Sequence, residues 1–221
     1  MAIHFQREVD GLKRKTLSLS TLVEENLGRA VRAVAEKNDA LANEVIAADD
    51  TIDAREIEVE EECLKLLALY QPVAVDLRFI VAVLKMNSDF ERIGDLSVNI
   101  AERSLALKEQ PPSEFSNCID CMAEKVLIMV KNSLDSMVNI NVALAMNVCA
   151  SDDAVDALYR EMYDKVKKGV VQDNEKLDDL MQLLSISRHL ERIADHATNI
   201  AEDVIYMAEG AIFRHSIKGK A

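Results

Sequence analysis

The chain has 221 residues and a mass of 24.6 kDa, and 49% of its residues are hydrophobic, enough apolar surface to fill the core of one or two domains and too much for a disordered chain. Six Gly, three Pro, no Trp and 4% aromatic residues leave Leu, Ile, Val, Met and Ala to fill that core, the composition of packed helices and not of a sandwich with a turn every ten residues. A formal net charge of −13 speaks against nucleic acid as a direct partner, because phosphates need a basic face; cations and basic protein surfaces fit better.

The opening MAIHFQREVDGLKRK lacks the apolar core of a signal peptide, and no later run reaches the roughly 20 apolar residues that span a bilayer. The expectation is a cytoplasmic protein. Leu12, Leu19, Val23, Ala30 and Val34 share a narrow arc at the helical period, which predicts a first long helix over 4–37. Asn38-Asp39 supplies a turn and an N-cap. A second helix follows over 39–70 and ends at Gln71-Pro72, since proline disfavours helix in its predecessor. A third helix covers 74–108. Pro111-Pro112 is the break between halves, giving a first domain over 1–110 and a second over 111–221.

The second half repeats the scheme with helices over 115–139, 142–172 and 175–208; Asn139 to Asn141 mark one junction and Gly169 to Asn174 the other. Short loops between helices of about 30 residues make neighbours antiparallel, so the predicted fold is all-α, two three-helix bundles in tandem. A short basic tail over 209–221 is expected to fray. Cys63, Cys118, Cys121 and Cys149 are too few and scattered for a disulfide framework. The CxxC of Cys118 and Cys121 has no second ligand pair nearby to complete a zinc site, so these read as reduced helix cysteines.

Two motifs recur about a hundred positions apart. Glu91-Arg-Ile-Gly-Asp95-Leu-Ser-Val-Asn99-Ile-Ala-Glu102 returns as Glu191-Arg-Ile-Ala-Asp195-His-Ala-Thr-Asn199-Ile-Ala-Glu202, and Asp49-Asp50-Thr-Ile-Asp53 returns as Asp152-Asp153-Ala-Val-Asp156. With Glu91 as origin, Asp95, Asn99 and Glu102 fall at about 40°, 80° and 20° around the helix, while Ile93 and Ile100 fall near 200° and 180°. Asp49, Asp53, Glu56 and Glu60 form a similar stripe on the second helix. Carboxylates four apart repel, so their repetition at matched places asks for a cause, and a bound cation is the obvious one. Hard oxygen clusters suit Mg, Ca, Mn or Fe, and a carboxylate can bridge two ions. The alternative is a solvated acidic face held by ion pairs along each helix.

Tyr159 and Tyr163 replace the acidic residues after Asp156, so the two halves need not hold equivalent sites. His189 and His196 flank Asp195 and leave a mixed site open, and Arg92 and Arg192 read as orienting the adjacent carboxylates or bridging helices. There is no P-loop, nucleophile elbow or glycine-rich phosphate cradle. No histidine has a glutamate three residues before it, as a ferritin-like di-iron enzyme would require. The expectation is a non-enzymatic protein.

In these motifs, with Gln71-Pro-Val-Ala-Val-Asp-Leu-Arg78 ahead of the third helix and Phe213-Arg-His215 near the end, the sequence closely resembles the PhoU family of phosphate-uptake regulators over nearly its whole length. The resemblance implies two three-helix bundles that assemble as homodimers or higher oligomers and carry surface multinuclear clusters of iron or zinc, with manganese or magnesium as further options. Carried over residue by residue, the metal ligands are Asp49, Asp53, Glu91 and Asp95, and Asp152, Asp156, Glu191 and Asp195. Asn99 and Asn199 continue the same stripes.

The implied role is negative control of the phosphate-starvation response, by an adaptor joining the ATPase subunit of the phosphate ABC transporter to the sensor histidine kinase and meeting the membrane only through those partners. The other functions to weigh are an accessory subunit of a low-affinity phosphate transporter and a metal-storage or metal-sensing helical protein. Apolar residues outside the main stripe of the third helix, Phe79, Val83 and Phe90 beside Ile80 and Leu84, are expected to need a second copy to cover them.

Overall fold

The computed structural model describes residues 2–172 and 176–210. Six helices follow in order: α1 (Ala2–Glu36), α2 (Asp39–Tyr70), α3 (Ala74–Ala106), α4 (Ser113–Asn139), α5 (Val142–Gln172) and α6 (Leu177–Glu209). Of the expectations above, the fraying of the tail, the Phe213-Arg-His215 motif and the end of the Gly169 to Asn174 junction lie outside the described residues.

Local chemistry sets the helix ends. The Asn38 side chain accepts the Leu41 N–H at 3.1 Å and caps α2, and Asn141 does the same for Leu144 at the start of α5, also at 3.1 Å. Gln71 turns left-handed at the end of α2, its N–H donating to the Leu67 carbonyl, and Pro72 stops any continuation. Helix α3 ends two residues earlier than its sequence predicts. Leu107 is buried and extended, and the Lys108 N–H donates to the Asp179 carboxylate at 3.1 Å, while its ammonium pairs with Asp178 at 2.9 Å. The Pro111-Pro112 linker is thus pinned to the first turn of α6. Gly210 closes α6 with φ +73°, a left-handed conformation that favours glycine.

Helices α1 to α3 form one bundle and α4 to α6 the other. The predicted stripe of α1 is buried in the first, with Leu12, Leu19, Val23 and Ala30 at 0% exposure. The bundles join side by side through α3 against α6, the most extensive helix pairing in the molecule, with α1 touching α4. This join corrects one expectation. Ile80, Val83 and Phe90 are buried within the single chain, and Phe79 and Leu84 pack partly buried against the same core. The apolar surface of helix α3 is broad because α1, α2 and α6 all pack against it. These residues therefore give no reason for a second copy.

Candidate functional site

Ile52 and Val59 on α2 and Ile93 and Ile100 on α3 are buried and draw the two helices together. The residues flanking that apolar seam, Asp49, Asp53 and Glu56 on α2 and Glu91 and Asp95 on α3, are left along one solvent-facing groove. The helices approach closely at Gly94, where a Cβ would sit 3.2 Å from Ile52 Cγ2 and 3.8 Å from Asp49 Oδ1.

Burial, then the charges of Asp53, Asp95 and Asp50, raises the carboxyl pKa of Asp49 above its ordinary value. Burial also leads for Glu56, followed by Glu60, Glu91 and Asp53. For Glu91 burial is followed by Asp95, with Arg92 opposing and Asp53 and Asp49 adding. The groove thus crowds like charges from both helices. Asp49 Oδ1 is shielded from solvent with no hydrogen-bond partner among the described residues. Two groups partly offset the crowding: Arg92 reaches Asp95 at 3.0 Å and Glu91 at 3.4 Å, and the Asn87 amide donates to the Glu56 carboxylate at 2.6 Å. Asn87 lies one turn before Glu91 on the same stripe, a signal that reading the motif from Glu91 onward misses.

The second groove is built by α5 and α6. Burial raises the Glu191 pKa first, then Asp195, Asp156 and Asp152, with Arg188 opposing, so these four predicted carboxylates also share one neighbourhood. Arg160 pairs with Asp156 at 3.2 Å. At the places of Glu56 and Glu60 stand Tyr159 and Tyr163, and Ala194 stands at the place of Gly94. The second groove holds fewer carboxylates than the first.

The two asparagines behave differently from the carboxylates. Asn99 turns its amide back to the Asp95 carbonyl at 2.9 Å, and Asn199 reaches Asp89 of α3 at 3.2 Å. Asn199 therefore leans toward the α3–α6 seam. The histidines belong to that seam as well. His196 Nδ1 lies 2.8 Å from Asp89 Oδ1, and His189 Nε2 lies 3.3 Å from the Ser185 hydroxyl. Burial, then Arg103, Arg192 and Arg188, lowers the His189 pKa and favours its neutral ring. Among the described residues the histidines join no group of three metal-ligating side chains, and Lys85 with Asp203, at 2.9 Å, is a further tie across the bundles. Cys63, Cys118, Cys121 and Cys149 are free, and burial pushes the Cys63 thiol up to about 12 and Cys149 to about 11, away from thiolate chemistry.

Both grooves offer carboxylate oxygens, the donors hard cations prefer, and a cation would find a use for the partnerless Asp49 oxygen. Among the described residues no three His, Cys, Asp or Glu side chains stand close enough together to hold an ion as placed. Ion binding therefore requires the repelling carboxylates to be drawn inward.

Comparison with known proteins places this geometry. The PhoU domain model matches the chain twice, over residues 16–104 and 119–204. The chain belongs to the PhoU family. Each matched stretch contains one groove: Asp49, Asp53, Glu91 and Asp95 fall in the first, Asp152, Asp156, Glu191 and Asp195 in the second. The chain is similar to the phosphate-specific transport system accessory protein PhoU homolog of Aquifex aeolicus, 41% identical with 95% of each chain covered. It also resembles a PhoU homolog of Thermotoga maritima, 34% identical over 98% of this chain and 94% of the relative. Among solved structures, PhoU from Pseudomonas aeruginosa superposes with a TM-score of 0.91 at 33% identity, covering 94% of this chain and 100% of the other. The phosphate transport system regulatory protein PhoU of Streptococcus pneumoniae gives a TM-score of 0.87 at 31% identity, over 94% and 98%. The PhoU fold therefore spans 94% of the chain, and both grooves sit inside its repeated unit.

Proposed function

We propose that this chain is an accessory protein of phosphate-specific transport that holds the phosphate-starvation response off when phosphate is plentiful, acting as a non-enzymatic cytoplasmic adaptor between the ATPase subunit of the phosphate ABC transporter and the sensor histidine kinase. One observation carries the reading: relatives matched nearly end to end are accessory proteins of phosphate-specific transport. The geometry agrees with a binding role. No described helix is long and apolar enough to cross a membrane, so contact with membrane components would run through protein partners.

In this reading the two grooves hold metal, iron or zinc first and manganese or magnesium next. Asp49, Asp53, Glu91 and Asp95 would be the ligands of one groove, with Glu56 beside them; Asp152, Asp156, Glu191 and Asp195 would be those of the other. A bound cation would supply positive charge that cancels the repulsion across each groove. Shared between carboxylates of α2 and α3, or of α5 and α6, the ion would tie each pair of helices and stiffen each bundle as a platform for partners. The test is deletion of the gene followed by a phosphate-starvation reporter in phosphate-rich medium. The reporter is expected to switch on, and an unchanged reporter contradicts the proposal.

A further inference from the structure

An apolar cleft of about 230 Å³ opens between α1, α3 and the end of α4, spanning both repeats and using no residue of α2 or α5, which carry half of each acidic groove. Leu17, Val138 and Ile140 line it and are 45%, 53% and 50% exposed. Its volume is below the roughly 300 Å³ at which small-molecule sites begin, so it suits one or two side chains better than a whole ligand. Lys13 and Arg14 stand on its rim, exposed and without an ion pair among the described residues. Lys13 is held there over the Phe79 ring, 5.4 Å from its centroid. In a chain of net charge −13 this is a local reversal of sign.

Ile140 adds an independent observation. The α4–α5 turn repeats the α1–α2 turn: the Ile140 and Asn141 N–H groups donate to Met137 and Ser136 as those of Lys37 and Asn38 donate to Val34 and Ala33. Both first residues are left-handed, with φ 48° at Ile140 and 49° at Lys37. An unbranched lysine tolerates that conformation better than isoleucine, for which it is an outlier, and glycine is the residue such turns favour. A β-branched side chain kept under strain and half-exposed at the lip of an apolar cleft has no explanation within this chain. Strain of this kind persists where the side chain has another use.

We infer that this cleft docks a protein partner through one bulky apolar side chain flanked by Asp or Glu, the apolar group seated against Leu17, Val138 and Ile140 and the acids met by Lys13 and Arg14. The inference rests on the adaptor reading above and assigns it a contact face. A second copy of the chain is the less suitable occupant, since a two-fold contact through this face would set Lys13 and Arg14 of one copy against the same cations of the other.

The experiment measures binding of the full-length chain to the purified transporter ATPase subunit and, separately, to the cytoplasmic part of the sensor kinase, by biolayer interferometry. Lys13→Glu with Arg14→Glu is expected to weaken one of these complexes by about tenfold or more and to flatten its salt dependence. Ile140→Gly is expected to weaken the same complex by about fivefold while leaving the melting temperature equal or higher, which separates lost contact from lost fold. Lys167→Glu on α5 serves as the remote control, with affinity unchanged. If the parent binds and the cleft variants bind equally well, the cleft inference is wrong and the adaptor reading stands. If the parent binds neither protein, the adaptor reading fails and the cleft inference falls with it. If Ile140→Gly instead dissociates a dimer in sedimentation without altering either affinity, the occupant is a second copy and the inference is overturned.

Discussion

Replacing Asp49 by Asn tests whether the first groove is a metal site or a solvated acidic face. The substitution keeps the side chain's shape beside Ile52 and Gly94 and removes one charge that Asp53, Asp95 and Asp50 oppose. Each like-charge contact costs on the order of 0.2–0.5 kcal/mol, so three contribute about 0.6–1.5 kcal/mol, and relief of the buried charge acts in the same direction. A chain of this size shifts about 2–4 °C per kcal/mol, so with chelator present the variant should melt a few degrees above the parent. Asp95→Asn should gain less, because Arg92 already pairs with that carboxylate at 3.0 Å. Added Fe, Mn or Zn reverses the order. A ligand at about 100 times its dissociation constant stabilises by about 2.7 kcal/mol, a rise of roughly 5–10 °C in the parent. Asp49→Asn should lose part of that rise and Asp49→Asn with Asp152→Asn most of it. Calorimetry with chelator and then with each metal reads both arms. A variant less stable than the parent in chelator, or a double variant with the full metal shift, refutes the reasoning.

The same crowding gives a pH dependence. Burial first and neighbouring carboxylates second hold Asp49, Glu56, Glu91 and Glu191 above their ordinary values, so the folded chain binds their protons more tightly than the unfolded chain does. These groups destabilise the fold at neutral pH, and the metal-free melting temperature should rise from pH 7 to about 5. Glu62, held low by Lys65 and Lys15, opposes this as the pH nears and passes its ordinary 4.5, and His189, held below its ordinary 6.5, opposes it across the same window, so the rise is read in a His189→Gln background. Metal-loaded protein should show the reverse slope, since protons compete with the ion; a flat metal-free profile would count against the crowding. At the α3–α6 seam, Lys85→Met removes the ammonium held 2.9 Å from the buried Asp203 carboxylate and should cost about 1–3 kcal/mol by urea denaturation, with no loss if the seam is unimportant. Light scattering at micromolar concentration should give at least twice 24.6 kDa, with Val73, Val75 and Leu77 offering exposed apolar surface; a monomer at all concentrations contradicts assembly.

The helices were legible because their signals are local. Asn38-Asp39, Gln71-Pro72 and Asn139 to Asn141 punctuate the chain by capping and backbone restriction, and the predicted ends fall within two residues of those observed. The carboxylate stripes were legible for the same reason, since the helical period alone gathers Asp49 with Asp53 and Glu91 with Asp95. What periodicity cannot give is the neighbour that covers a face. Phe79, Val83 and Phe90 read as surplus apolar surface until the second bundle is packed against the first. Likewise His196 with Asp89, Lys85 with Asp203 and the lean of Asn199 toward the seam are long-range pairs with no trace in local spacing. The cleft at Ile140 depends on a positive φ that sequence alone does not reveal.

Isolating the full-length chain from cells grown in high and in low phosphate, and quantifying what comes with it, tests the adaptor claim most directly. The account predicts that the phosphate transporter's ATPase subunit and the sensor histidine kinase are both recovered, in amounts that change with phosphate. Recovery of neither protein under either condition would contradict it.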